Sequence, residues 1–162
     1  MTVSTESGVP IYNETHRQRF NFAAHVCADY VKKRPELKQT ADYSHFCCVA
    51  FTLLDDQQAA LDIILPTIEH IHARVGHTES PQVSAPDAPE YADALNAHTH
   101  WWLEILRRAA AERREHFTIT CEFGPSPYMP TVPFTQQAIN NQWKLNVWMK
   151  DYIKRQCASF SA

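Results

Sequence analysis

Glycine is nearly missing from this chain, with three residues in 162. Gly8, Gly76 and Gly124 stand so far apart that no Gly-rich phosphate loop can be drawn, and the simplest nucleotide-binding readings fall away. No apolar run approaches the roughly 20 residues a membrane span needs. The opening MTVSTESG also lacks the basic-then-apolar order of a signal peptide, so a cytoplasmic protein without a membrane partner is expected. An excess of positive charge is lacking as well. Lys and Arg number 15 against 18 Asp and Glu, a formal net charge of -3, which gives no electrostatic footprint for nucleic acid. The five cysteines, Cys27, Cys47, Cys48, Cys121 and Cys157, have no CxxC spacing. They suit reduced, inert thiols better than a disulfide framework or a Cys-rich zinc site.

What is present fits one domain, since 162 residues, 44% of them apolar and 20% charged, build one real core and not two. Residues 8–14 (GVPIYNE) read as a short extended segment. Residues 15–34 carry Phe22, Val26 and Tyr30 at helical spacing and stop before Pro35. Residues 37–42 (LKQTAD) are strand-like. Residues 55–68 read as a helix opened by Asp55 and Asp56, which suit a helix N-terminus, and interrupted near Pro66. EHIHARV (69–75) is a third strand. Beyond a Pro-rich loop at 76–89, residues 89–115 set Tyr91, Leu95, Trp102, Ile105 and Ala109 on one helical face. HFTITCE (116–122) is a fourth strand and, after a second Pro-rich loop, 134–156 is a final amphipathic helix. Strand and helix thus alternate four times, the pattern of parallel strands joined by helical crossovers in an α/β protein.

Four chemistry-bearing side chains keep step with that alternation. Glu14, Asp42, His72 and Glu122 each fall at or near the C-terminal end of an expected strand. About 30 residues separate the first three and about 50 the last pair, and one βαβ unit takes roughly 30. In parallel α/β folds, ligands gather at the carboxyl ends of strands. Three carboxylates and one imidazole make a hard oxygen and nitrogen donor set, which points to Mn²⁺, Mg²⁺ or Co²⁺ rather than to thiolate-rich zinc. Taken singly, each has a plainer reading: a strand-end Asp such as Asp42 also serves as a helix cap. Alternation puts Thr118, Thr120 and Glu122 on one face of the last strand, with Phe117, Ile119 and Cys121 on the other. It also puts His70, His72 and Arg74 together. His70 is expected as a buried, hydrogen-bonded filler, and His16, His25, His77, His98, His100 and His116 as surface or packing residues.

The segments ETHR at 14–17, DYSH at 42–45, HIHARVG at 70–76 and CEFGPSPYMP at 121–130, in that order and spacing, carry a family resemblance. Over about residues 9–155 the chain resembles the xylose isomerase-like TIM barrels, specifically the sugar phosphate isomerase/epimerase group. The resemblance implies four parallel βα units forming the C-terminal half of a (β/α)8 barrel over residues 9–157, with a flexible N-terminal tail at 1–8 and a C-terminal tail at 158–162. It implies one divalent metal held by Glu14, Asp42, His72 and Glu122. Glu14 and Glu122 would be the catalytic acid and base, and His45 and Arg74 would bind substrate and hold a developing oxyanion. The reaction implied is a metal-dependent isomerisation or epimerisation of a sugar or sugar phosphate, by proton transfer through a cis-enediolate. Phe20 stands where ketose epimerases carry a second acid, so isomerase and epimerase stay open. Beside them stand an inosose-type dehydratase and a non-catalytic truncated half-barrel that binds metal or a partner chain. Arg74 has a second reading, as the salt-bridge partner of Glu69 or Glu79. A TIM barrel takes about 250 residues and eight strands, so a homodimer or a separate N-terminal-half chain is expected to complete it.

Overall fold

In the computed structural model, which describes residues 2–158, the four expected strands form one all-parallel sheet in sequential order. They are β1 (Asn13–Glu14), β2 (Gln39–Ala41), β3 (Ile68–Ala73) and β4 (Thr118–Cys121). Helix α1 (Thr2–Ser7) precedes β1. Helices α2 (Ala24–Lys33), α3 (Ser44–Ala50), α4 (Gln58–Ile64), α5 (Ala92–Ala111) and α6 (Gln142–Cys157) follow the strands. The protein is α/β with four parallel βα units, the arrangement of half a (β/α)8 barrel. No helix among the described residues is long and apolar enough to cross a membrane.

Strand alternation divides the sheet into two chemically different faces. Ala41, Ile71 and Ala73 meet Cys27, Val31, Phe46, Ile64, Trp102, Ile105 and Met149 in one buried cluster under the helices. Ile64, Ile71 and Ile105 are fully buried, and burying each contributes roughly 2–3 kcal/mol. The opposite face carries Thr40, His70, His72, Thr118 and Thr120. His70 bridges two residues of β4 there, with Nδ1 2.6 Å from Thr118 Oγ1 and Nε2 3.0 Å from Thr120 Oγ1. The ring is hydrogen-bonded as expected but half-buried, and Thr118 and Thr120 are exposed.

The start of β3 is pinned from behind. Arg108 near the end of α5 donates to the Pro66 carbonyl at 2.9 Å and the Ile68 carbonyl at 2.6 Å, while Glu69 pairs with Lys38 and Arg114, both at 2.6 Å. At the other end of α5, His98 is fully buried. Its Nδ1 donates to the Ala94 carbonyl at 2.9 Å and its Nε2 accepts from the Gly76 N–H at 3.3 Å. The loop leaving β3 is thereby fixed on the helix beneath it.

Several boundaries differ from the sequence expectation for physical reasons. Only Asn13–Glu14 of the 8–14 segment pairs in the sheet, since Pro10 has no N–H to offer a ladder. The helix expected from residue 15 starts at Ala24, because Thr15 and Asn21 are committed to long-range hydrogen bonds with the β2 segment. Its buried stripe is Ala24, Cys27, Ala28 and Val31, at i, i+3, i+4 and i+7, whereas Phe22 and Tyr30 are 39% and 42% exposed. The last helix begins at Gln142 rather than 134, since Phe134 and Gln136 adopt positive φ angles of 67° and 58° that no α-helix admits. Pro66 ends α4 as expected, in a 3-10 turn over Leu65–Thr67. α1 occupies the segment read as a flexible tail, and from within it Ser4 Oγ donates to the Val9 carbonyl at 2.7 Å. Beyond Ala158, the tail expected at 158–162 lies outside the described residues.

Gly76 is required by close approach. A Cβ there would stand 2.7 Å from Ser44 Cβ and 3.0 Å from the Pro81 backbone. Gly76→Ala is expected to lower the unfolding free energy by about 1–3 kcal/mol, measured by urea denaturation. An unchanged midpoint would mean the loop can retreat without cost.

Candidate metal centre

Each strand delivers one member of the quartet at its carboxyl end. Glu14 is the last residue of β1, Asp42 follows β2, His72 is the penultimate residue of β3, and Glu122 follows β4. Hydrogen bonds between adjacent strands fix these ends. The Thr15 N–H donates to the Thr40 carbonyl at 3.0 Å, and its Oγ1 accepts from the Asp42 N–H at 2.8 Å. The Glu122 N–H donates to the Ala73 carbonyl at 3.3 Å.

The four side chains meet. One donor atom from each of Glu14, Asp42, His72 and Glu122 lies within 4.8 Å of the other three. His72 Nδ1 is 3.1 Å from Glu14 Oε1 and 3.0 Å from Glu122 Oε2. Side chains on a flat sheet stand parallel to one another, so β1, two strands away from β3, can bring Glu14 to His72 only across a concave surface, as in a barrel segment.

The arrangement fits a cation better than it fits a proton. A ring nitrogen carries at most one N–H, and here it makes its hydrogen bond with Glu14. Glu122 Oε2 is buried without a hydrogen bond among the described residues. Neighbouring ligands of an octahedral cation at about 2.1 Å lie about 3 Å from each other, which matches the two spacings about His72. The group could hold a metal ion.

Charge in the cluster is balanced from within. Burial opposes a charge on His72, but the Glu122 and Glu14 carboxylates outweigh it and raise the ring to about 9. Burial likewise pushes Asp42 above the ordinary carboxylate range, against the pull of the Arg74 guanidinium and the Ser44 hydroxyl. Glu122 goes the other way: burial would raise it, yet the His72 contact and the Arg74 charge hold it below its ordinary value.

Arg74 and His45 stand behind Asp42 rather than in the open, being 3% and 0% exposed. Arg74 Nη2 donates to Asp42 Oδ2, and Ser44 Oγ donates to Asp42 Oδ1. Arg74 also donates to His45 Nε2 at 2.8 Å and lies 3.7 Å from Glu122 Oε2. Its salt bridge is therefore with Asp42, and Glu69 pairs elsewhere. His45 accepts at Nε2, which leaves the proton on Nδ1, an atom without a hydrogen-bond partner among the described residues. Burial, followed by the Arg74 charge, lowers its pKa to about 2, so the ring is neutral.

Other neighbours of the centre are legible only in three dimensions. The His16 ring lies 3.9 Å from that of His45, and Tyr128 sits under Arg74 at 4.6 Å and Arg17 at 5.8 Å. Ser44 was visible inside DYSH, but nothing in sequence spacing marks Tyr128. His77 lies apart from the quartet, in the loop where its N–H donates to the Ser80 carbonyl. All five cysteines are free, and burial raises each thiol pKa, so they stay protonated at neutral pH.

No protein family, curated protein or solved structure matches the chain.

A cation must displace the His72 proton. Affinity for Mn²⁺ is expected to rise by up to about tenfold per pH unit from 6.5, levelling off above about 9; calorimetry showing a flat profile would contradict this. The raised His72 pKa also means that its contribution to metal-free stability is complete below 6.5 and lost as pH climbs through about 9. Metal-free melting temperatures should therefore fall over that window and recover on adding Mn²⁺, while buried Asp42, raised from 3.8 to about 7, loses its contribution with the same sign at lower pH. Asp42→Ala should weaken Mn²⁺ binding by at least about tenfold, while His77→Ala leaves it unchanged; equal metal content in the two variants would count against the quartet.

Proposed function

We propose that this chain carries the proton-transfer centre of a divalent-metal-dependent sugar or sugar phosphate isomerase or epimerase, of the xylose isomerase-like kind. The observation behind this reading is the convergence of Glu14, Asp42, His72 and Glu122 within 4.8 Å at the carboxyl ends of four parallel strands. Three oxygen donors and one nitrogen suit Mn²⁺, Mg²⁺ or Co²⁺. When bound, such a cation supplies Lewis acidity to the adjacent carbonyl and hydroxyl oxygens of a sugar. Glu14 and Glu122 come from the first and last strands and flank whatever lies over His72. One, ionised, would take the proton from the carbon between those oxygens, and the other, protonated, would give its own proton back to the cis-enediolate so formed, the two exchanging charge states in the process. Glu122, held ionised beside Arg74, is ready to act as the base. The Arg74 charge favours negative charge developing over the cluster without touching it.

Beside Glu14 opens a cavity of about 350 Å³, lined by Tyr12, Asn13, Arg19, Phe20 and Asn21. Its size falls among small-molecule pockets. Aromatic rings suit the C–H face of a sugar, and amides with a guanidinium suit its hydroxyls or a phosphate. The outer edges of β1 and β4 are unpaired among the described residues, and parallel sheets are ordinarily covered. Further strands pairing with those edges would close the barrel, and a second copy or a separate N-terminal-half chain could supply them.

A second reading, a half-barrel that binds metal without turnover, draws support from the burial of Arg74 and His45 away from the open face. Proton exchange separates the two. With Mn²⁺ in deuterated water, the wild type should exchange the C–H beside a sugar carbonyl. Glu122→Gln should lose this by about 10²–10⁴-fold while keeping its circular dichroism. Wild-type exchange in that variant removes the acid/base assignment, and tight metal binding with no exchange in the wild type selects the second reading.

A further inference from the structure

Glu122 is the most exposed side chain of the centre, and its Oε2 is met only by the ion-pair contacts to His72 at 3.0 Å and Arg74 at 3.7 Å. Whether those contacts form depends on where the Glu122 backbone sits. The β3–β4 ladder cannot supply that constraint, because its last registered pair is Ala73 with Cys121 and its last bond is the 3.3 Å contact from the Glu122 N–H. Past this point β3 turns away, its Val75 carbonyl accepting from the Val83 N–H at 2.8 Å instead.

Two amide side chains take over where the ladder stops. Asn146, on α6, accepts from the Phe123 N–H at 2.8 Å and donates to the Phe123 carbonyl at 3.0 Å. Gln82, in the loop after β3, accepts from the Gly124 N–H at 2.7 Å and donates to the Gly124 carbonyl at 3.1 Å. Each primary amide uses one of its N–H donors and its carbonyl acceptor, the pair of groups a neighbouring strand would otherwise present. Two consecutive residues immediately after Glu122 are therefore gripped at both polar groups, one from the helix layer and one from the loop leaving β3. Gln82 is 2% exposed, so this grip is shielded from competing water.

We infer that Gln82 and Asn146 are the positioning residues of Glu122, holding its carboxylate at the metal centre by clamping the backbone of the two residues that follow it. The inference rests on the metal-centre reading given above for its functional consequence, and on hydrogen-bond geometry alone for the clamp itself. A carboxyl ligand displaced by a fraction of an ångström loses coordination, and partners that orient a ligand from behind typically govern 10- to 100-fold in metal affinity.

The experiment compares Gln82→Met, which removes both hydrogen bonds, with Gln82→Glu, which keeps the acceptor, each alone and combined with Glu122→Ala. Mn²⁺ affinity should fall by at least about tenfold in Gln82→Met and by less in Gln82→Glu. In the Glu122→Ala background neither substitution should lower it further, since a residue acting through Glu122 has nothing left to act on. An unchanged affinity, or a loss of the same size with and without Glu122, overturns the inference. Amide hydrogen exchange provides the readout independent of metal: the Gly124 amide should exchange at least about tenfold faster in Gln82→Met and the Phe123 amide in Asn146→Leu, while the Ile71 and Ile105 amides stay protected. A wild type that binds no Mn²⁺ sinks the metal reading by itself. In that event unchanged exchange at Phe123 and Gly124 also overturns the clamp.

Discussion

Like-charge repulsion is the constraint on which the rest of this structure turns. Two carboxylates about 4 Å apart repel by about 4 kcal/mol at an effective dielectric constant near 20. Glu14, Asp42 and Glu122 bring three of them around one imidazole. Without metal, the repulsion is offset by Arg74, which sits against Asp42, and by the proton that His72 retains. Neither device is free of cost, because each brings a charge into a desolvated site. Removing one partner of such a buried pair typically costs about 3–5 kcal/mol, since the other is left uncompensated. A divalent cation would take over the role of the His72 proton and supply one more charge.

The tertiary structure is arranged around that balance. The concave sheet aims strand-end side chains at one point, and its apolar face, filled by Ile71, Ile105 and their neighbours, supplies the stability that the polar face does not. Thr15 ties β1 to the end of β2, Gly76 lets the loop after β3 come down onto Ser44, and Ser44 in turn holds Asp42. Each of these is a short-range device. Together they carry the constraint from the helix layer to the cluster, which explains why the centre is held although β1 is only two residues long.

The strand ends were legible in the sequence because their chemistry and their spacing agreed: an acid or a histidine recurring in step with the βα unit marks a face that no single helix or strand could mark. The four parallel strands followed from the same alternation. Local packing was harder to read. Phe22 and Tyr30 look like a helix face by spacing and hydrophobicity, yet smaller residues, Ala24, Cys27 and Ala28, form the buried stripe because α2 lies close against its neighbours. The burial of Arg74 was not foreseeable either. Its partner is 32 positions away, and a guanidinium on a strand's polar face reads as solvent-facing until the opposing acid is placed. Tyr128, Gln82 and Asn146 act through rings and backbone groups, which leave no periodic trace.

Anomalous diffraction from crystals grown with Mn²⁺ tests the central claim most directly, because it locates the ion among named side chains without reference to any substrate. The account predicts a single strong manganese peak within bonding distance of Glu14, Asp42, His72 Nδ1 and Glu122, with Arg74 still against Asp42 on the far side. A map with no peak at the strand ends, or a peak bound elsewhere while His72 keeps its contact with Glu14, would contradict it.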